Sequence, residues 1–255
     1  MNPAVETVLK RVLPPLALLV FGIALVQVLV TALDIPPFVL ASPAAIWDEI
    51  VAYLPAIASA TLVTGLNALW GLLLGSVIGI ALAVLASRTR VIDGMLAPIV
   101  AAIAVVPIVA LAPVLYTMFG STSETARVLI AAVAAFVPIF LNTLRGLRQV
   151  RPVQRDLLRA LAATPAQVIR TLTIPAALPH FFTGLRVASS LAVISALVAE
   201  YFGGPRQGLG AAITTAAANS AYARAWAFVL GAIVLGLAFF LITSLIERAF
   251  TRFAR

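Results

Sequence analysis

The stretch TLVTGLNALWGLLLGSVIGIALAVLAS, residues 61–87, holds no charged residue and no proline before Arg88 closes it, and its length decides the fold class. A hydrocarbon core about 30 Å thick is crossed by about 20 helical residues, because a helix satisfies its own backbone where no water can. Working outward from this run, comparable ones lie near residues 12–32, 95–119, 125–143, 177–200 and 225–246. The expectation is an all-α, polytopic membrane protein with about six transmembrane helices, in one transmembrane domain over residues 1–255. Composition points the same way. The 255 residues are 63% hydrophobic and 10% charged, whereas soluble chains are about half apolar and about a quarter charged. The absence of cysteine removes disulfides, thiolate chemistry and thiolate metal sites. The single histidine, His180, stands beside Pro179 with no metal-ligand or triad partner in sequence, so neither a catalytic nor a metal site is expected.

A formal charge of +8 invites a nucleic-acid reading until the arginines are placed. They cluster between apolar runs: Lys10 and Arg11; Arg88 and Arg90; Arg145, Arg148, Arg151, Arg155, Arg159 and Arg170; Arg248, Arg252 and Arg255. The alternate connections carry only Arg127, Arg206 and Arg224. By the positive-inside rule both termini face the cytoplasm, and the first run is read as a retained helix. No nucleic-acid partner is expected. In the first outer connection, Ser42-Pro43 opens a stretch to Leu54 whose Ile46, Ile50, Val51 and Leu54 oppose Asp48 and Glu49, as in a helix lying on the membrane surface. Gly71, Gly75 and Gly79 form two overlapping G-x-x-x-G units, for which close contact with another helix of the same chain is expected, a subunit interface being the alternative. Pro107, Pro113 and Pro138 fall inside runs and favour kinks, which either line a pathway or pack.

The longest basic connection, about residues 144–176, reads as two short helices. Pro152 opens the first, with Leu157, Leu158 and Leu161 beside Arg155 and Arg159. Thr164-Pro165-Ala166-Gln167 is a capping box opening a second to about Thr173, which Pro175 and Pro179 then stop. A basic pair of helices with an apolar ridge has two readings: docking on a cytoplasmic partner, or contact with anionic lipid.

Asp156-Leu-Leu-Arg-Ala-Leu-Ala162 followed by Leu172-Thr-Ile174-Pro175 resembles the E-A-A-x3-G-x9-I-x-L-P loop in the permease subunits of bacterial ABC importers. Pro36 to Pro43, Pro138-Ile-Phe-Leu-Asn-Thr143, Gly184-Leu-Arg186 and Ala199-Glu200 are similar to the branch holding nitrate, sulfonate and taurine permeases, and the likeness runs from about residue 15 to 250. The loop departs from the pattern: Asp156 stands for the glutamate, Leu157 and Leu158 for the alanines, Ala162 for the glycine. An alanine in a left-handed turn costs about 1–2 kcal/mol. The resemblance implies a type I importer permease in the bacterial inner membrane. Its ATPase-coupling loop would span about 151–175, through Arg155, Asp156, Leu157, Leu158, Arg159, Leu161, Ala162, Thr164, Leu172 and Pro175. It further implies a cytoplasmic ATPase dimer that binds ATP and Mg, an extracytoplasmic substrate-binding protein, and a second permease copy as a homodimer. The only lysine, Lys10, follows no glycine-rich loop, so this chain has no P-loop of its own.

Polar groups inside the runs are the candidates for a translocation path: Asn67, Ser189, Ser190 and Arg186, with Thr64, Ser76 and Ser195 beside them. Each hydroxyl or amide has an equal reading as a bond between helices. Arg186 either snorkels and pairs locally or attracts an anionic cargo. Gly203 to Gly210 reads as turns before a short outer or re-entrant helix, where Arg206 and Arg224 are candidates for binding-protein docking or solvated loop charges. The function expected is import of a small anion such as nitrate, sulfonate or taurine. The alternatives are a pyrimidine or vitamin-precursor permease and a self-sufficient secondary transporter. A membrane enzyme lacks a catalytic constellation.

Overall fold

The computed structural model of the chain describes residues 3–252 and is helical throughout. The elements are α1 (Pro3–Ala32), α2 (Pro43–Arg88), α3 (Arg90–Val105), α4 (Leu111–Phe119), α5 (Thr125–Leu147), α6 (Pro152–Ala160), α7 (Pro165–Val168), α8 (Ile174–Phe202), α9 (Leu209–Ala218) and α10 (Tyr222–Arg252). Five of the expected runs are helices long and apolar enough to cross a membrane: 13–32, 43–88, 125–147, 165–202 and 222–250. Of the basic residues used above for topology, Arg255 lies outside the described residues, as do the side chains of Lys10, Arg11 and Arg252.

The stretch expected as a single span over 95–119 is instead broken. Pro107 forces the residue before it out of the helical region, and Val106 is extended at φ −63°, ψ 125°. A short 3-10 turn over 108–110 then leads into α4, where Pro113 sits in the first turn and removes no helical bond. Pro138 is accommodated inside a continuous α5. The surface helix expected over 43–54 is the first arm of α2 itself. Ser42 caps it, its hydroxyl accepting from Ala45 N at 3.2 Å, and the rod bends at Tyr53 (φ −111°, ψ 17°), two residues before Pro55.

Helix α5 is the axis of the fold, held between α2 on one side and α8 on the other. The glycines of α2 face it. A methyl added at Gly71 would strike Ala131, one at Gly75 would meet Ala135 Cβ at 3.0 Å, and one at Gly79 would meet Ile139 Cγ2 at 2.9 Å. The G-x-x-x-G units therefore serve contact within the chain. The opposite face of α5 repeats the device: Gly184 of α8 lies on the Pro138 carbonyl and Asn142, and Gly146 of α5 lies on Ala177 and His180. In lipid no hydrophobic force pulls helices together, so close backbone approach through small residues supplies the attraction. The core lined by Ala131, Ala135, Ala188, Ala192 and Ala196 is built for that approach. Helix α10 closes the bundle against α2, α8 and α9, while α1 lies outermost with Leu18, Val20 and Phe21 exposed.

Candidate functional site

At the basic end of the bundle, the segment after α5 folds as its sequence specifies. Gln154 accepts from Arg151 N at 3.1 Å and opens α6 behind Pro152. The turn that closes α6 is a Schellman motif: Ala163 N donates to Leu158 O at 3.0 Å and Ala162 N to Arg159 O at 2.9 Å, with Ala162 left-handed at φ 57°. The alanine in the glycine position thus adopts the glycine's conformation. Thr164 and Gln167 form the expected capping box, Thr164 N donating to Gln167 Oε1 at 2.7 Å and Gln167 N to Thr164 Oγ1 at 3.4 Å.

The second helix does not stop at Pro175. A π-helical turn over 169–173, closed by Ile174 N donating to Ile169 O, carries α7 directly into α8. The wider turn absorbs the donor that Pro175 lacks, so one helical run extends from 165 to 202. No residue of α6 or α7 is buried. Val153, Leu157 and Leu161 are 75%, 61% and 70% exposed, and their spacing of four sets them on one face of α6. Leu158 and Leu172 are half-buried, Arg155 and Thr164 are exposed, and Asp156 pairs with Arg159 at 3.5 Å on the open surface. An ion pair of 2.7 Å between Arg148 and Asp93 ties the base of this segment to α3.

The candidate path residues do not gather in one channel. Asn67 is buried and its Nδ2 has no protein partner. Ser189 is buried, donates to Arg186 O at 2.8 Å and shares a hydrogen bond with Thr243, while Ser190 is half-buried beside α10. Arg186 pairs with Glu247 of α10, and its guanidinium lies 5.9 Å from the Phe240 ring centre. Arg224 is likewise engaged, bonded to Glu49 at 2.8 Å and resting 3.7 Å over the Tyr53 ring, which leaves Arg206 exposed. Among the described residues no three His, Cys, Asp or Glu side chains converge as a metal site.

The opposite end of the bundle holds a cluster that sequence reasoning missed. Arg127, read above as a loop charge, is 0% exposed and lies 3.9 Å from Glu200, itself 3% exposed. Arg127 donates to the carbonyls of Gln207 (3.0 Å) and Pro205 and approaches Tyr116 Oη at 3.4 Å, and Tyr116 in turn donates to Ala199 O. Glu200 accepts from Thr64 Oγ1 at 2.9 Å and from Gly210 N at 2.7 Å, and Thr64 accepts from Leu209 N at 2.8 Å. The signal was present: Arg127 falls just inside an apolar run and Glu200 near the end of another, and an ionisable residue within a span demands a partner.

The comparisons with known proteins agree with this architecture. A family model described as the inner membrane component of binding-protein-dependent transport systems matches residues 71–254. A probable ABC transporter permease of Haemophilus influenzae is 32% identical over 202 residues, covering 78% of this chain and 81% of that one. A formylaminopyrimidine transport permease of Halalkalibacterium halodurans is 36% identical over 140 residues, 55% of each chain. Further relatives are named as riboflavin, aliphatic-sulfonate, bicarbonate and taurine permeases. The fold is shared with a chain of a crystallised amino acid ABC transporter, with TM-score 0.65 at 19% identity, covering 78% of this chain and 96% of that one. The chain therefore belongs to the family of binding-protein-dependent transport system inner membrane components, as a multi-pass, non-catalytic permease subunit of an ABC transporter.

Proposed function

We propose that the chain is the permease of an ATP-driven importer, working as a pair of identical copies whose segments at 151–175 dock on a cytoplasmic ATPase dimer while an external binding protein delivers the cargo. The observation that carries this reading is the exposed ridge of Val153, Leu157 and Leu161 on a helix that is otherwise basic and polar. Apolar side chains that the rest of the chain leaves uncovered contribute when a groove covers them. The segment's second helix continues through the π turn into α8, so a push transmitted across the turn at 161–164 reaches the membrane core along one helical run. The concentration of arginine in the loops at this end supports a cytoplasmic position for it and for both termini. ATP and Mg belong to the partner ATPase.

Two cargo readings have support. Relatives named for sulfonate, taurine and bicarbonate transport favour a small anion. The formylaminopyrimidine and riboflavin permeases, each 36% identical over about half of this chain, favour a small heteroaromatic solute. Arg186 pairs with Glu247 and is assigned to neither cargo. In either reading Ser190 supplies a polar contact along the route, while Asn67, Ser189 and Arg186 lie in helix packing.

Proteoliposomes containing the assembled transporter test the reading. Uptake of the solute that its binding protein retains, screened among taurine, an alkanesulfonate, nitrate and a formylaminopyrimidine, should require both ATP and that binding protein. Uptake by the purified chain alone, without ATP, would mean a secondary transporter.

A further inference from the structure

The loop over 203–208 and the first turn of α9 are held by four helices at once. Arg127 of α5 holds the Pro205 and Gln207 carbonyls, Tyr116 of α4 packs on Gly203 and Gly204, Glu200 of α8 takes the Gly210 N–H, and Thr64 of α2 takes the Leu209 N–H. Gly204 (φ 90°) and Gly208 (φ 101°) adopt backbone conformations that let the loop fold back over the Arg127–Glu200 pair. The loop is one wall of a cleft of about 460 Å³, lined also by Tyr201, Thr214, Thr215 and Asn219. Glu200 sits near the end of the same helical run that begins at Pro165, a rod of roughly 55 Å at 1.5 Å per residue. The second helix of the proposed docking segment and the buried ion pair are therefore at opposite ends of one helical run, with α6 joined to its start by the turn at 161–164.

We infer that Arg127, Glu200 and Thr64 are positioning residues that convert movement of α8 against α5 into movement of the loop over 203–208, opening and closing the cleft beside it. The inference rests on the permease reading, since it needs a partner that moves α8. Arg127 is tied to the Pro205 and Gln207 carbonyls and Glu200 to Thr64 and Gly210 N, and breaking such buried bonds to charged groups is costly, so a shift of α8 carries the loop with it. Thr64 bonds to both Glu200 and Leu209, which ties the start of α9 to the same movement.

The cysteine-free chain allows a direct test. Arg206→Cys places one thiol on the exposed part of the loop, to be labelled by a charged maleimide in the purified complex with its ATPase, nucleotide-free and after trapping with ATP, Mg and vanadate. The labelling rate should differ at least fivefold between the two states. In Arg206→Cys/Glu200→Gln the difference should fall below twofold with the ATPase still bound. Arg206→Cys/Thr64→Val, which removes the hydroxyl but leaves Arg127 and Glu200 in place, should give an intermediate ratio and serves where Glu200→Gln does not accumulate. An undiminished ratio in either double variant, or no difference in Arg206→Cys alone, overturns the inference and leaves the permease reading standing. Failure of any ATPase to bind the Arg206→Cys chain overturns the permease reading, and the inference with it.

Discussion

Ala162 occupies the one position in the docking segment where a side chain has a clear energetic cost. Its φ of 57° is required by the Schellman turn that closes α6, and glycine adopts that conformation without the Cβ clash. Ala162→Gly should therefore stabilise the turn by about 1 kcal/mol. Trypsin cleavage after Arg159, followed by mass spectrometry in the assembled protein, should slow about fivefold if cutting requires local opening. Equal or faster cleavage would show that the alanine conformation carries no strain. The position was legible in the sequence because the spacing of Leu172, Ile174 and Pro175 marks it. The role of Arg127 was not, because nothing near it in the chain names its partner; Glu200 and the Pro205 and Gln207 carbonyls arrive from more than seventy residues away.

The long helices followed from the apolar runs almost without correction, since in lipid an unbroken run has no alternative to a helix. The errors all fall at prolines. Pro107 split one expected span, Pro55 bent α2 where a separate surface helix was expected, and Pro175 passed through a π turn where a stop was expected. A proline announces a missing donor; whether the chain breaks, bends or widens depends on what packs around it, which sequence does not display. The glycine pattern of α2 was more reliable because its geometry is simple. Gly79→Leu should push against Ile139 and the Phe136 carbonyl and cost about 1–3 kcal/mol, with a lower melting temperature in detergent. Gly22→Leu, where nothing lies within 4 Å of the added atom, should leave the melting temperature unchanged. Similar losses from both would contradict the α2–α5 contact as the cause, since helix propensity favours leucine over glycine at either position.

The molecule as a whole is a frame of helices fastened by ion pairs at both ends: Arg148–Asp93 and Arg186–Glu247 at the basic end, Arg127–Glu200 and Arg224–Glu49 at the other. The buried Arg127–Glu200 pair costs desolvation that is offset only while its partners stay in place, whereas the partly exposed pairs contribute little each. What projects from the frame is the segment over 151–175, apolar where it should be polar. The overall organisation was legible from the alternation of runs and arginines, while the network joining the ends was not, because helix pairing is decided in three dimensions. The most direct test is affinity purification of the tagged chain from its native membrane in mild detergent, beside a Leu157→Asp/Leu161→Asp chain. The native chain should bring down a P-loop ATPase, and the variant should insert equally well and bring down none. Equal recovery of the ATPase with both chains, or its absence from both, would contradict the proposed docking.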